Sequence, residues 1–187
     1  HNEVPKHPVR VYQGEGIGVF TSEIQFKNEQ DIMFASTVLE WFTKGGFDRL
    51  IIIDGLVGSS DVPTGQLFGV GSSDAARARL RIAGIEPIQQ GIVAGITGFL
   101  LGEGDRLGID VTALLAEASP MYPDARAAAL AVEAVAELTG IEIPLSELLE
   151  NAQDIEDSVR EVIENTQTLL PGPETQTFSA DQDIDPS

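Results

Sequence analysis

The stretch Gly91–Leu138, GIVAGITGFLLGEGDRLGIDVTALLAEASPMYPDARAAALAVEAVAEL, decides the fold class. It opens on eleven uncharged, glycine-studded residues from Gly91 to Leu101. A membrane span needs about 20 apolar residues. This run is therefore expected inside a core, as a buried helix over 92–101 whose glycines allow close packing on a sheet. Ile109–Ala116 follows as a largely apolar strand. A proline-bounded loop comes next, and Asp124 is placed to cap an alanine-rich helix that Gly140 ends. A helical period and a buried strand alternate within one stretch, which assigns the chain to the α/β class.

Upstream, Val9–Gln13 and Ile17–Phe26 read as strands joined by the turn Gly14-Glu15-Gly16. Asn28 can cap a helix over 29–43, with Ile32, Ala35, Leu39 and Phe42 along one face at steps of three and four. Gly45-Gly46 ends it. Leu50–Ile53 is a short apolar strand of the kind buried in a parallel sheet. Gly55–Gly65 is a loop, and residues 67–70 form a further strand. Ser72 or Ser73 caps a helix to Ala83, and Pro87–Gln89 is a short strand or turn. The expected architecture is a single three-layer α/β domain over 1–170 with a mostly parallel sheet and a long carboxy-terminal helix on its surface.

That last helix covers 145–169, with Pro144 at its start. Leu145, Leu148, Ala152, Ile155, Val159, Val162, Thr166 and Leu169 step strictly by three and four, a narrow heptad seam. Glu147, Glu150, Asp154, Glu156, Asp157, Glu161 and Glu164 occupy the other faces. Such a seam packs either on its own domain or on another subunit, and Leu148, Ala152, Ile155, Val159 and Val162 are its candidate interface residues. Residues 171–187, rich in Pro, Gly, Ser, Thr, Gln and Asp, are expected to be a disordered acidic tail.

Charge narrows the function classes. In 187 residues, 30 Asp and Glu oppose 11 Lys and Arg, a formal net charge of −19. Only Lys6, Lys27 and Lys44 are lysines. An acidic, lysine-poor surface suits a halophile, in which salt screens self-repulsion. Nucleic-acid binding needs clustered bases, and Arg77, Arg79 and Arg81 are spaced so as to scatter around a helix. No cysteine is present, so disulfides and thiolate chemistry are excluded. His1 and His7 are the only histidines, which leaves no Ser–His–Asp set and no histidine metal triad. No cofactor is expected.

The remaining candidates are turns and strand ends. Gly69-Val70-Gly71-Ser72-Ser73-Asp74 links a strand to a helix, where backbone N–H groups could cradle an anion. The competing reading is a tight turn with a serine cap. Glu117 ends an apolar strand, where open α/β sheets place ligand sites, and Ser119, Tyr122 and Asp124 adjoin it. The competing reading is that Glu117 shapes the loop. Asp54 and Asp61 invite the same pair of readings. Trp41, off the apolar stripe of its helix, is either an interface residue or the rim of a core.

Several segments carry a resemblance in order along the chain. They are Pro8–Tyr12 with Ile17–Glu23, Phe47–Gly55, Leu67–Ser73, Gly91–Leu101, Ala113–Ala118 and the helix start Tyr122-Pro123-Asp124 with Ala127-Ala128. Together they resemble the proteasome assembly chaperone family, in particular its archaeal members. The resemblance covers residues 8–165. It implies a non-catalytic homo-oligomer with a nucleoside-phosphorylase-like fold that holds proteasome α subunits; a cytoplasmic location is expected, with neither nucleic acid nor membrane as partner. The alternative it leaves open is a small-molecule-binding or hydrolase/transferase-type enzyme on the same scaffold, with Gly69–Ser73 on phosphate and Glu117 on a sugar or amine. Family members usually begin with a strand, a glycine-rich turn and a helix, so the resemblance implies that this chain is the carboxy-terminal portion of a longer protein or one with its start missing. Members that dock on the proteasome can end in a hydrophobic residue, a tyrosine and one final residue, whereas the sequence here ends Asp185-Pro186-Ser187.

Overall fold

A computed structural model of the protein describes residues 7–24, 28–57, 65–88, 92–119, 124–146 and Leu149. The heptad-seam positions from Leu148 onward, the tail, Tyr122, Asp61 and Phe26 lie outside the described residues. In chain order the elements are β1 (Val9–Gly14), β2 (Ile17–Ser22), α1 (Asn28–Gly45), β3 (Leu50–Leu56), β4 (Leu67–Gly71), α2 (Asp74–Ile82), β5 (Glu86–Pro87), α3 (Gly95–Leu107), β6 (Val111–Glu117) and α4 (Ala125–Thr139).

All seven residues of β6 are buried. It lies between β3 and β4 in a four-stranded sheet of order β3-β6-β4-β5. Because side chains alternate across a strand, β6 supplies two cores at once. Val111, Ala113 and Leu115 join Leu101 of α3 and the partly buried Leu50, Ile52 and Val70. On the opposite face, Leu114 joins Leu80 of α2 and Ala134 of α4. Ala116 there meets Ala127 and Ala131 of α4. Helix α1 adds Ala35, Val38 and Leu39 against Leu100 of α3. The result is the expected three-layer α/β arrangement, with α1 and α3 on one face of the sheet and α2 and α4 on the other.

The sheet is mixed rather than mostly parallel. β6 pairs parallel with β3 but antiparallel with β4, and β4 pairs parallel with β5. Strand direction leaves no trace in a run as short and apolar as LFGVG, because burial on both faces produces the same pattern in either orientation. The antiparallel hairpin β1–β2 forms a separate two-stranded sheet. It rests on α1 through Phe20, whose ring meets Phe34 edge-on at 5.3 Å.

Local signals placed most helix ends. Ser73 and Asp124 each cap a helix by accepting an N–H from three residues on, Ala76 and Ala127. Gly140 closes α4 in the left-handed conformation. The buried helix begins at Gly95, three residues later than expected, and runs on to Leu107. It continues through Gly104 because that glycine is a contact and not a breaker: a Cβ there would lie 2.6 Å from Val111 Cγ2. On α1, Ala35, Leu39 and Phe42 are buried as expected. Ile32 is instead 56% exposed, and Val38 takes a core place at 6%. β3 also departs from the fully buried strand expected. It is an edge of the described sheet, and Ile53 is 51% exposed. Beyond α4, Leu149 N–H donates to the Leu145 carbonyl at 2.9 Å, one helical turn after Pro144.

Leu114 has no exposed surface. Leu114→Ala should destabilise the fold by about 3 kcal/mol and lower the melting temperature by roughly 6–12 °C. Thermal unfolding followed by circular dichroism in high KCl checks this, and a loss under about 1 kcal/mol would contradict the central place given to β6.

Candidate functional site

The junction of β4 with α2 is closed by its own side chains. The Ser72 hydroxyl donates to the Ile109 carbonyl at 2.8 Å and accepts the Val111 N–H at 3.0 Å. Those contacts stitch β4 to the turn that enters β6. The Ser73 hydroxyl is occupied as the α2 cap, accepting Ala76 N–H at 3.0 Å. Arg77 Nη1 donates to the Gly71 and Ser72 carbonyls at 2.8 and 3.3 Å, and Nη2 to Asp74 at 2.9 Å. A Cβ on Gly71 would lie 2.8 Å from both Ala76 Cβ and the Arg77 nitrogen. A Cβ on Gly69 would lie 2.5 Å from Leu80 Cδ2. Both glycines therefore let α2 lie flush on β4. The three arginines of α2 diverge: Arg79 pairs with Asp110, Arg77 with Asp74, and Arg81 is exposed.

At the carboxyl ends of β3 and β6 the fold brings together groups far apart in sequence. Asp54 Oδ2 accepts the Thr97 hydroxyl at 2.6 Å, and Asp54 Oδ1 accepts the Gly55 N–H at 2.8 Å. Thr97 lies in the first turn of α3 and is buried. Glu117 is 7% exposed and stands opposite Leu56. By strand alternation it lies on the α3 face with Leu115. Asp124 serves as cap to α4 and also accepts the Ser119 N–H at 3.2 Å, which draws the two ends of the intervening loop together. Among the described residues no group of His, Asp and Glu is arranged to hold a metal ion.

Trp41 is half-buried. Its ring lies 5.8 Å from Phe20 and 4.9 Å from Phe47. It therefore forms the rim of the cluster between the hairpin and α1. Beside it, a cavity of about 380 Å³ is lined by Val11, Gln13, Ile17, Trp41, Phe47, Asp48 and four glycines. Sequence reading missed this cavity. Its one signal was the clustering of glycines at 14, 16, 45 and 46 on either side of the lone tryptophan. On the hairpin itself, the hydrogen bond from Arg10 to the Glu23 carboxylate raises the guanidinium pKa above its ordinary value. The analogous bonds from Lys44 and Arg106 hold the Glu40 and Glu103 carboxyls below theirs.

A mixed sheet sandwiched between helix pairs, with a hairpin mounted on α1, defines a three-layer α/β protein. The chain belongs to the PAC2 family, whose model matches residues 1–163. The fold is similar to that of Pyrococcus furiosus PbaA, described as an archaeal homolog of proteasome-assembly chaperone. The two share 26% identity at a TM-score of 0.77, over 90% of this chain and 71% of that one. It also resembles P. furiosus PbaB, described as an archaeal proteasome activator, in fold alone. That match has 23% identity and a TM-score of 0.65, over 78% of this chain and 64% of PbaB. An uncharacterized protein of Methanocaldococcus jannaschii is 24% identical over 162 residues, 86% of this chain and 66% of the relative. The chain thus spans about two thirds of that relative's length. Among the described residues, no helix is long and apolar enough to cross a membrane.

Ser72→Ala should cost about 1–3 kcal/mol, because it strips the hydrogen bond from a buried Val111 N–H and from the Ile109 carbonyl. Urea titration measures it. A neutral result would mean that the hydroxyl does not join β4 to β6.

Proposed function

We propose that this protein is a non-catalytic, proteasome-assembly-chaperone-like protein that binds proteasome α subunits. The observation that carries the reading is membership of the PAC2 family, with a fold similar to that of PbaA at 26% identity. The chemistry of the sequence agrees with a binding role. It has no cysteine and only two histidines, both near its start. In this reading the heptad seam through Leu148, Ala152, Ile155, Val159 and Val162 faces a protein partner, the chain self-associates, and its acidic surface is an adaptation to a salty cytoplasm.

The enzyme alternative draws less support. It needs Gly69, Gly71, Ser72 and Ser73 to hold phosphate, yet both serine hydroxyls already bond within the fold and both glycines are pressed against α2. Its better foothold is the carboxyl ends of β3 and β6, where Asp54 accepts a hydrogen bond from Thr97 in the first turn of α3 and Glu117 is buried at the end of β6.

The deciding experiment is size exclusion with light scattering in about molar KCl, which screens the surface charge, with and without α subunits from the same organism. A shared peak is expected, and Ile155→Asp with Val159→Asp should abolish it. A self-oligomer that ignores α subunits would overturn the reading.

A further inference from the structure

We infer that the cavity between the tip of the β1–β2 hairpin and the end of α1 seats a basic side chain, arginine or lysine, presented by a protein partner. Three independent features converge on a cation there. Among the described residues the lining holds one charged side chain, that of Asp48, which is exposed and takes part in no ion pair. The wall beside it is aromatic, formed by Trp41 and Phe47 with ring centroids 4.9 Å apart. A cation over such a face, tryptophan above all, is attracted by the ring quadrupole. The third feature is the end of α1. Gly45 and Gly46 bring the carboxyl terminus of this 18-residue helix into the lining, where the helix dipole is negative. Lys44, the basic residue of the last turn of α1, is paired with Glu40 one turn back.

Size and openness fit one long side chain. A volume of about 380 Å³ lies near the lower end of the range for small-ligand pockets. The glycines of the rim add no bulk: a Cβ at Gly16 or Gly46 would point into open space. The methylenes of an arginine or lysine can lie along Val11 and Ile17 while the charged head reaches Asp48, the usual division of an amphipathic side chain. The net charge of −19 favours approach of a basic segment over an acidic one. The inference goes beyond α-subunit binding and stands whether or not these subunits are the partner.

Trp41 is the only tryptophan, so its emission reports on the cavity without labelling. The probe is the blocked tripeptide acetyl-Ala-Arg-Ala-amide, compared with the same peptide carrying citrulline, which keeps the shape and lacks the charge. The arginine peptide should produce a saturable change in Trp41 emission, and the citrulline peptide should bind about fivefold more weakly. Asp48→Asn should weaken the arginine peptide about threefold and remove most of the discrimination. Asp48 is exposed, so the variant should melt at the parent temperature. Glu137→Gln, an exposed change on α4 across the sheet, should leave both affinities unaltered and so separates the local carboxylate from the overall charge. No saturable change, equal binding of both peptides, or equal weakening by Glu137→Gln would each overturn the inference. Emission that shifts with protein concentration alone would assign the cavity to a second copy of this chain, overturning the separate partner.

Discussion

Strand β6 has no solvent-facing side, and the other elements are placed by the need to cover it. Seven consecutive buried residues must lose water on two faces, and a single helix layer can cover only one. The chain answers with α3 and α1 on one side and α2 and α4 on the other. Burial at about 25 cal/mol per Å² of apolar surface rewards this only if the layers approach closely. Gly71 and Gly104 permit that approach, since a Cβ on either would meet α2 or Val111 at under 3 Å. The small residues Ala127, Ala131 and Ala134 do the same for α4. Close packing also brings polar groups indoors. Ser72 shows how they are accommodated, with both hydrogen bonds running to the backbone that enters β6.

The division between scaffold and candidate surfaces follows from that core. Residues between β4 and α2 are consumed by packing and capping, which leaves little there for a ligand. The β1–β2 hairpin lies outside the sheet. It is held by aromatic contacts to α1 and forms one wall of the cavity beside Trp41. A two-stranded ribbon is marginal alone, so its seat on Phe34, Trp41 and Phe47 sets the shape of that cavity. In the proposed binding role such mounted, partly exposed elements are where a partner is met, and the net charge of −19 sets the sign of what approaches them.

The features legible in the chain itself are local: the apolar run of β6, a serine cap at Ser72 or Ser73, the cap at Asp124, the glycine stop at Gly140, the hairpin turn and the α/β class. Each depends on neighbours within a few positions, so propensity and hydrogen-bond chemistry settle it without the rest of the chain. Features that depend on distant partners emerge only once the chain is folded. β4 runs antiparallel to β6, a choice that burial patterns do not encode. Gly104 carries α3 onward because Val111 lies against it. Ile32 lost its place to Val38, because only the face of α1 that meets α3 and the hairpin is covered. The Thr97–Asp54 bond spans 43 positions and the Ser72 bridge 37 and 39. The Trp41 cavity exists only where hairpin and helix end meet. Such features are set by which surfaces the fold presses together, and no window of adjacent residues contains that information.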